Sequence, residues 1–481
     1  MLFNSLGYLA FFSGVVFLYF LLPKKLKSPF LLIASYFFYS CWNVKYSLLM
    51  ALSTGVTFLT GLGLEKSSSK SKKLWVFFCF TINLGILFIF KYLNFTIDVI
   101  NIMANRWNFT PIDASFHFLL PVGISFYTFQ ALGYTIDVYR QDIPAEKNFW
   151  KYALFVSFFP QLVAGPIERS NHLLPQIKRG SRFSFENLRL GLIFMGYGYC
   201  LKLIIADRAA LLVNEAFQQY KILSTPLLLF AAFCFTLQIY CDFYSYSIIA
   251  KGSARVLGYD LMDNFREPLF AKSITEFWRR WHISLSTWFK DYLYIPLGGN
   301  RKGLGRKSFN LLLVFLVSGL WHGANLTFLL WGLIHGICNI VESAIHSIGF
   351  RFKDHFLING IRRLFTLTIV VLAFIFFRGE TITQALAYLQ TLFTAGKGDF
   401  FKELELVHFG RSNFYVLLIA LGILSFVDLL KCKGYAPAAL LKDQTPLIVR
   451  WIIYLIAIFA ILIFGIYGPG YSESQFIYFQ F

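Results

Sequence analysis

The stretch SGLWHGANLTFLLWGLIHG, Ser318 to Gly336, sets His322 between Trp321 and Gly323 inside an apolar run. In a soluble core such a histidine reads most simply as a packing residue that donates to a backbone carbonyl. At membrane depth a polar side chain is costly and by default marks a functional site. Ser318, Gly319, Gly323 and Ala324 are small, so a ligand or a second helix can approach closely. Trp321 supplies a flat wall. A neutral imidazole with a pKa near its unperturbed ~6.5 is well placed to act as a general base. Asn325, just after the motif, is on its chemistry alone a candidate donor to a developing oxyanion. His335, in WGLIHGICN, is as readily a packing histidine as a second member of a site. No third His, Cys or carboxylate falls at a helical ligand spacing nearby, so no metal centre is expected.

A second dense stretch, ITEFWRRWHISLSTWFKDYLYIPLGGNR, runs from Ile274 to Arg301. Read as one helix, it places Trp278, Trp281, Leu285 and Trp288 on one face and sets Arg280 one turn after Glu276, where the two can pair. Tryptophans and arginines of this kind anchor a helix at the membrane interface. Arg279, Arg280, Lys290 and Arg301 can in addition hold phosphates on the cytoplasmic side. His282 either lines a pore or sits among headgroups.

Asp242 lies deep in LQIYCDFYSYSIIAKG, with Gln238 one turn before it. An intramembrane carboxylate needs a partner, by orienting a histidine or pairing with an arginine, in a structural or a catalytic role. SFFPQLVAGPIERSNHLLPQI interrupts a span with Pro160, Gly165 and Pro166. Backbone freed by such breaks is tolerated inside protein or beside water, so this is either the wall of a cavity or a span terminus. The common soluble signatures GxSxG, P-loop, GxGxxG after a strand and HExxH are absent, and GGNRKGLGRK lacks the spacing of a phosphate-binding loop.

The elements that must carry these residues are set by composition. Of 481 residues, 57% are hydrophobic and only 14% charged, against roughly 25% charged in soluble domains. The mean hydropathy of +0.60 agrees. The fold class is an all-α polytopic membrane protein of about 10–13 spanning or re-entrant helices. The net charge of +19 reflects short basic cytoplasmic loops abutting apolar runs, not a nucleic-acid surface. The seven cysteines form no CxxC pair and read as buried apolar residues.

The first apolar run has no basic residue before it, and Lys24, Lys25 and Lys27 follow it. That order predicts a retained first span with its N-terminus outside, not a cleaved leader. Ser28 to Leu64 should fold as two short spans turning near Trp42 and Asn43, ending at a second basic loop, EKSSSKSKK. Further spans are expected over Leu74–Tyr92, Phe116–Val138, Tyr152–Val163, Leu192–Ile205, Leu227–Ile249, Phe309–Leu320, Leu326–Ile340, Leu364–Phe377, Phe414–Leu430 and Ile448–Tyr467. Lys251 to Ser308 is too basic to span and too aromatic for a free loop, so it reads as interfacial or re-entrant. With no repeat and no linker, residues 1–481 read as one domain.

Taken in order, FPQLVAGPIER, QIYCDF, DNFREPLF, EFWRRWHISLSTWFKDYLYIPLGGNR and SGLWHGANLTFLLWGLIHG resemble the membrane-bound O-acyltransferase (MBOAT) family, and most nearly its bacterial alginate O-acetyltransferase branch. The motif-bearing core covers about 121–341. The resemblance implies helices and re-entrant segments around a central funnel, with His322 as the catalytic histidine and His282 in or near the same tunnel. It implies a bacterial cytoplasmic membrane, no bound cofactor and a cytoplasmic thioester, acetyl-CoA, as donor. It also implies an acetyl group that leaves on the outer side, where a periplasmic or membrane-anchored partner related to SGNH hydrolases completes transfer to a polysaccharide hydroxyl. Where the branch carries DFSGYSD, this chain reads DFYSYSI from Asp242 to Ile248, lacking the small glycine and the second acid. Sibling activities, peptidoglycan acetylation or D-alanyl transfer to teichoic acid from a carrier protein, share the same pattern. A transporter whose pore histidine shuttles protons is the non-enzymatic alternative, though no paired halves are visible.

Overall fold

The computed structural model describes residues 1–113, 116, 119–163, 165–350, 352–435, 445–468 and 476, and among these there are helices and no strands. Nine helices among the described residues are long and apolar enough to cross a membrane. The protein is an all-α, multi-pass membrane protein. Its contacts divide the chain into two compact units, Met1–Gly191 with Ala250–Met262, and Leu192–Ile249 with Asp263–Phe481.

In the first unit the expected pair of helices before residue 66 is present. Lys24–Ser40 and Val44–Lys66 turn at Cys41–Asn43, and the Asn43 side chain accepts from the Lys45 amide at 2.9 Å to cap the second helix. The basic segments are less loop-like than their composition suggested. Lys24 to Lys27 form the first turn of a helix, and Lys27 is buried with its ammonium on the Ser181 carbonyl at 3.0 Å. The EKSSSKSKK segment is nearly absorbed by its neighbours, because one helix runs to Lys66 and the next starts at Ser69.

Between helices of this unit the bonds are polar. Ser53 donates to Asn83 at 2.5 Å and Tyr152 donates to Thr57 at 2.7 Å, all four residues buried. With lipid outside, close packing and such bonds replace a hydrophobic drive between helices.

The span expected over Phe116–Val138 begins later, at Ile124. Phe118 lies outside the described residues. Gly123 sets the start: its φ of 73° is left-handed, and a Cβ there would stand 2.6 Å from the Leu162 carbonyl oxygen. Tyr152–Val163 is broken as expected, into Phe149–Ser157 and Phe159–Leu162, with the break at Phe158 just ahead of Pro160. The freed backbone groups find side chains: the Phe159 amide donates to Ser35 at 3.1 Å, and the Phe155 carbonyl accepts from Gln130 at 2.5 Å and Gln161 at 3.1 Å. The break is satisfied inside protein.

The second unit holds the rest of the long helices. Phe185–Gln218, which passes through a π-helical turn at Cys200–Ala206, belongs to it from Leu192 on. Gly303–His322 and Leu326–Ser347 form an antiparallel hairpin, both longer than the apolar runs alone indicated. At 1.5 Å per residue the 20-residue arm is about 30 Å long, the thickness of a hydrocarbon core. Glycines let the arms touch: a Cβ on Gly319 would lie 2.3 Å from the Phe328 carbonyl oxygen, and one on Gly332 2.4 Å from that of Phe315. The small residues around His322 therefore serve helix–helix approach.

Candidate active site

His322 is the last residue of its helix, not mid-span, and only Gly323, Ala324 and Asn325 separate it from the next helix. It is 3% exposed. Its ring lies 5.0 Å from Trp321, 5.2 Å from Trp331 and 5.5 Å from Phe377, centroid to centroid. The WHGAN motif thus forms the tip of a helical hairpin and turns the imidazole into an aromatic enclosure.

His282 comes to the same place. Helical periodicity over Ile274–Arg301 suggested one continuous helix, and the structure corrects this. Ile274–Arg280 ends, Trp281 is extended, His282 is left-handed at φ 44°, and a new helix runs over Ile283–Phe289. Trp278, Trp281, Leu285 and Trp288 are all buried, but Trp278 is on the first helix, Trp281 in the break, and Leu285 and Trp288 on the second helix. A non-glycine residue in that conformation persists only where its surroundings fix it, and Asn264 does the fixing. Its backbone carbonyl accepts from the Ile283 amide at 2.9 Å. Its Oδ1 accepts from the Ser284 amide at 3.3 Å and from the Ser284 hydroxyl at 2.9 Å, and lies 3.2 Å from His282 Nδ1. Its Nδ2 donates to Ser247 at 3.1 Å. With Oδ1 accepting throughout, Nδ1 of a neutral His282 carries the proton, and Nε2 holds the lone pair.

The rings of His282 and His322 are 6.1 Å apart, and Trp321 contacts both, at 5.7 Å from His282 and 5.0 Å from His322. Phe243 closes on His282 at 4.6 Å. Two imidazoles in an aromatic, water-poor enclosure can accept a hydroxyl proton and return it to a leaving group. His335 is also buried, with its Nδ1 accepting from the Trp278 indole at 3.3 Å, and its ring is 5.0 Å from Trp331.

Other residues marked from the sequence have different neighbours. Asp242 meets a lysine: its Oδ1 is 2.7 Å from Lys202 Nζ, which also pairs with Asp207 at 2.8 Å. Lys202 stands on the π-helical turn, and no apolar-run reading pairs residues 40 positions apart. Asn325 caps the following helix. Its Oδ1 accepts from the Thr327 amide at 3.1 Å, and its Nδ2 donates to the Glu380 carbonyl at 2.8 Å. Arg280 pairs with Glu276 at 2.6 Å, as the spacing indicated, and reaches the Glu267 carbonyl. Arg279 is exposed. Asn264 is the residue the sequence reading passed over, although it lies in DNFREPLF, and its fixed place between Ser247 and the His282 segment is visible only in three dimensions.

A polar cluster in the first unit lies outside the spanning helices. The buried Glu168 accepts from the Met262 amide at 2.5 Å and sits 2.8 Å from His172 Nδ1, and Asp260 is 3.7 Å from Nε2. Hydrogen bonding to Glu168 raises the His172 pKa above its ordinary value, and burial raises that of Glu168.

The family model of MBOAT, the membrane-bound O-acyltransferase family, matches residues 140–377, a range that holds every residue of this enclosure. The chain is 35% identical, over all of its length and all of the relative's, to "Probable alginate O-acetylase AlgI" of Pseudomonas putida. It is 35% identical to the peptidoglycan O-acetyltransferase of Helicobacter pylori, covering 81% of this chain and 79% of that one. A more distant relative is the teichoic acid D-alanyltransferase of Bacillus subtilis, 26% identical across 45% of this chain and 57% of that protein.

Proposed function

The chain belongs to the membrane-bound O-acyltransferase family and is an acyltransferase, and we propose that it draws an acetyl group from cytoplasmic acetyl-CoA and passes it across the membrane for O-acetylation of an extracellular or cell-wall polysaccharide. The observation that carries this is the pair of buried imidazoles, His282 and His322, 6.1 Å apart in one aromatic enclosure. His322 takes the proton of an acceptor hydroxyl as its oxygen attacks the thioester carbonyl, and returns it to the departing thiolate. His282, fixed by Asn264, is the second imidazole of the site. The exposed Arg301, Lys302 and Arg306 suit the phosphates of a nucleotide-bearing donor. The membrane is the bacterial cytoplasmic one, and an SGNH-hydrolase-like protein on its outer face completes the transfer.

The 35% identity to a peptidoglycan O-acetyltransferase favours a second reading of the acceptor, with peptidoglycan in place of an exopolysaccharide. The test is reconstitution in vesicles with radiolabelled acetyl-CoA, comparing the wild type with His322→Ala for coenzyme A release and label on added alginate or peptidoglycan. Release by the wild type and its loss in a folded His322→Ala variant are expected, and the acceptor that takes the label decides between the two polymers. Equal release by both proteins removes His322 from the mechanism.

A further inference from the structure

We propose that the indole N–H of Trp331 is the hydrogen-bond donor that receives the oxyanion when the thioester is attacked beside His322. The assignment rests on the acyl-transfer reading above and names a group that reading leaves open.

Acyl transfer needs such a donor. The acceptor oxygen forms a bond to the carbonyl carbon as its proton passes to His322, and the carbonyl π pair moves onto oxygen. When that pair returns, the carbon–sulfur bond breaks and the thiolate leaves with the proton held by His322. The products are an ester and a thiol. The short-lived negative oxygen must be met by a donor already in place in a site that excludes water. Asn325, which the sequence offered, has one of its two amide N–H groups on the Glu380 carbonyl and its Oδ1 on the Thr327 amide, which holds it as a helix cap.

Trp331 fits. It is 1% exposed, and its Nε1 is buried without a hydrogen-bond partner among the described residues. A buried indole N–H ordinarily finds an acceptor. Its ring stands 5.2 Å from that of His322 and at 89° to it, so one small acyl group can touch both. The indole is held by packing against Trp278 at 5.6 Å and Phe377 at 5.2 Å, which gives the preorganisation an oxyanion donor requires. The same helix face continues the pattern. One turn earlier Thr327 Oγ1, and one turn later His335 Nε2, are also buried without partners. The His335 Nδ1 accepts from Trp278, so its Nε2 bears the proton of the neutral ring. This is a face built to meet the acceptor atoms of a bound molecule.

The experiment uses the full chain in vesicles and two probes: acetyl-CoA turnover, and binding of trifluoroacetonyl-CoA, a ketone that forms a tetrahedral adduct, against S-ethyl-CoA, a thioether that lacks the carbonyl. Trp331→Phe removes the N–H and keeps an aromatic ring. The expected result is a fall in kcat of about 10²–10³-fold with KM within a few-fold, and loss of the preference for the ketone over S-ethyl-CoA. Replacing Trp331 with 3-benzothienyl-alanine, in which sulfur takes the place of N–H in an otherwise indole-shaped ring, should reproduce the loss and covers a Phe variant that fails to fold. Retained kcat and ketone preference in either folded variant overturn the proposal. So does a loss that follows Trp321→Phe and not Trp331→Phe. Absence of coenzyme A release by the wild type overturns the donor reading itself, a result distinct from an unaffected Trp331 variant of an active enzyme.

Discussion

The side chain of Asn264 sits 3.2 Å from His282 Nδ1 and takes two further hydrogen bonds from Ser284, so one amide oxygen holds both the left-handed backbone of His282 and the direction of its ring. In the proposed mechanism Asn264 is a positioning residue, acting on the reaction through His282.

Asn264→Ala should therefore lower kcat by about 100-fold, the scale of a misplaced catalytic group, while donor binding changes little. Asn264→Asp keeps an acceptor for His282 and Ser284 and adds a negative charge beside the imidazole. That charge favours the protonated ring, so its pH–rate profile should shift to higher pH. A simple packing role would lower activity in both variants without moving the profile, and steady-state kinetics across pH separates the two outcomes.

The buried Lys202 bridges Asp242 and Asp207 at 2.7 and 2.8 Å. Lys202→Met removes the cation that bridges two buried carboxylates, and breaking a buried ion pair typically costs about 3–5 kcal/mol. The expected result is a strongly lowered thermal midpoint of the purified protein. Adding Asp207→Asn and Asp242→Asn to Lys202→Met removes the stranded charge and should recover most of the loss. If the triple variant is no more stable than Lys202→Met, repulsion between the carboxylates is not the cause.

The sequence makes one kind of feature plain and hides another. His322 stands out because an imidazole within an apolar run has no cheap structural excuse, and the spans stand out by length and hydropathy. The break at Trp281–His282 does not, because WRRWHISLSTWF keeps a helical period and contains no glycine or proline. The backbone turns there because Asn264, eighteen positions earlier, offers it hydrogen bonds. Asp242 announces that it needs a partner and gives no sign that the partner is Lys202. Asn325 was legible in a way the oxyanion reading overlooked: an asparagine directly ahead of an apolar helix is a cap signal, and the cap is what it forms.

The His172 cluster of the first unit carries a pH dependence with a definite sign. His172 hydrogen-bonds the buried Glu168 on one side and faces Asp260 on the other, and Lys251 opposes its charge from further off. Its pKa in the folded protein is raised above the ordinary 6.5. A group raised on folding contributes stability that is fully present below its unfolded pKa and is lost as pH rises through the folded one. Glu168, also raised, works in the same direction, since the folded state keeps its proton to higher pH. Local stability of Ser170–Arg179 and of the Gly258–Met262 segment that pairs with it should fall from pH 6 to pH 9. Hydrogen exchange of peptides covering these residues, corrected for the intrinsic pH dependence of exchange, reads this directly. His172→Gln can still bond one carboxylate but cannot titrate, so its protection should be nearly flat over the same range. An equal fall in protection in His172→Gln would assign the dependence to other groups.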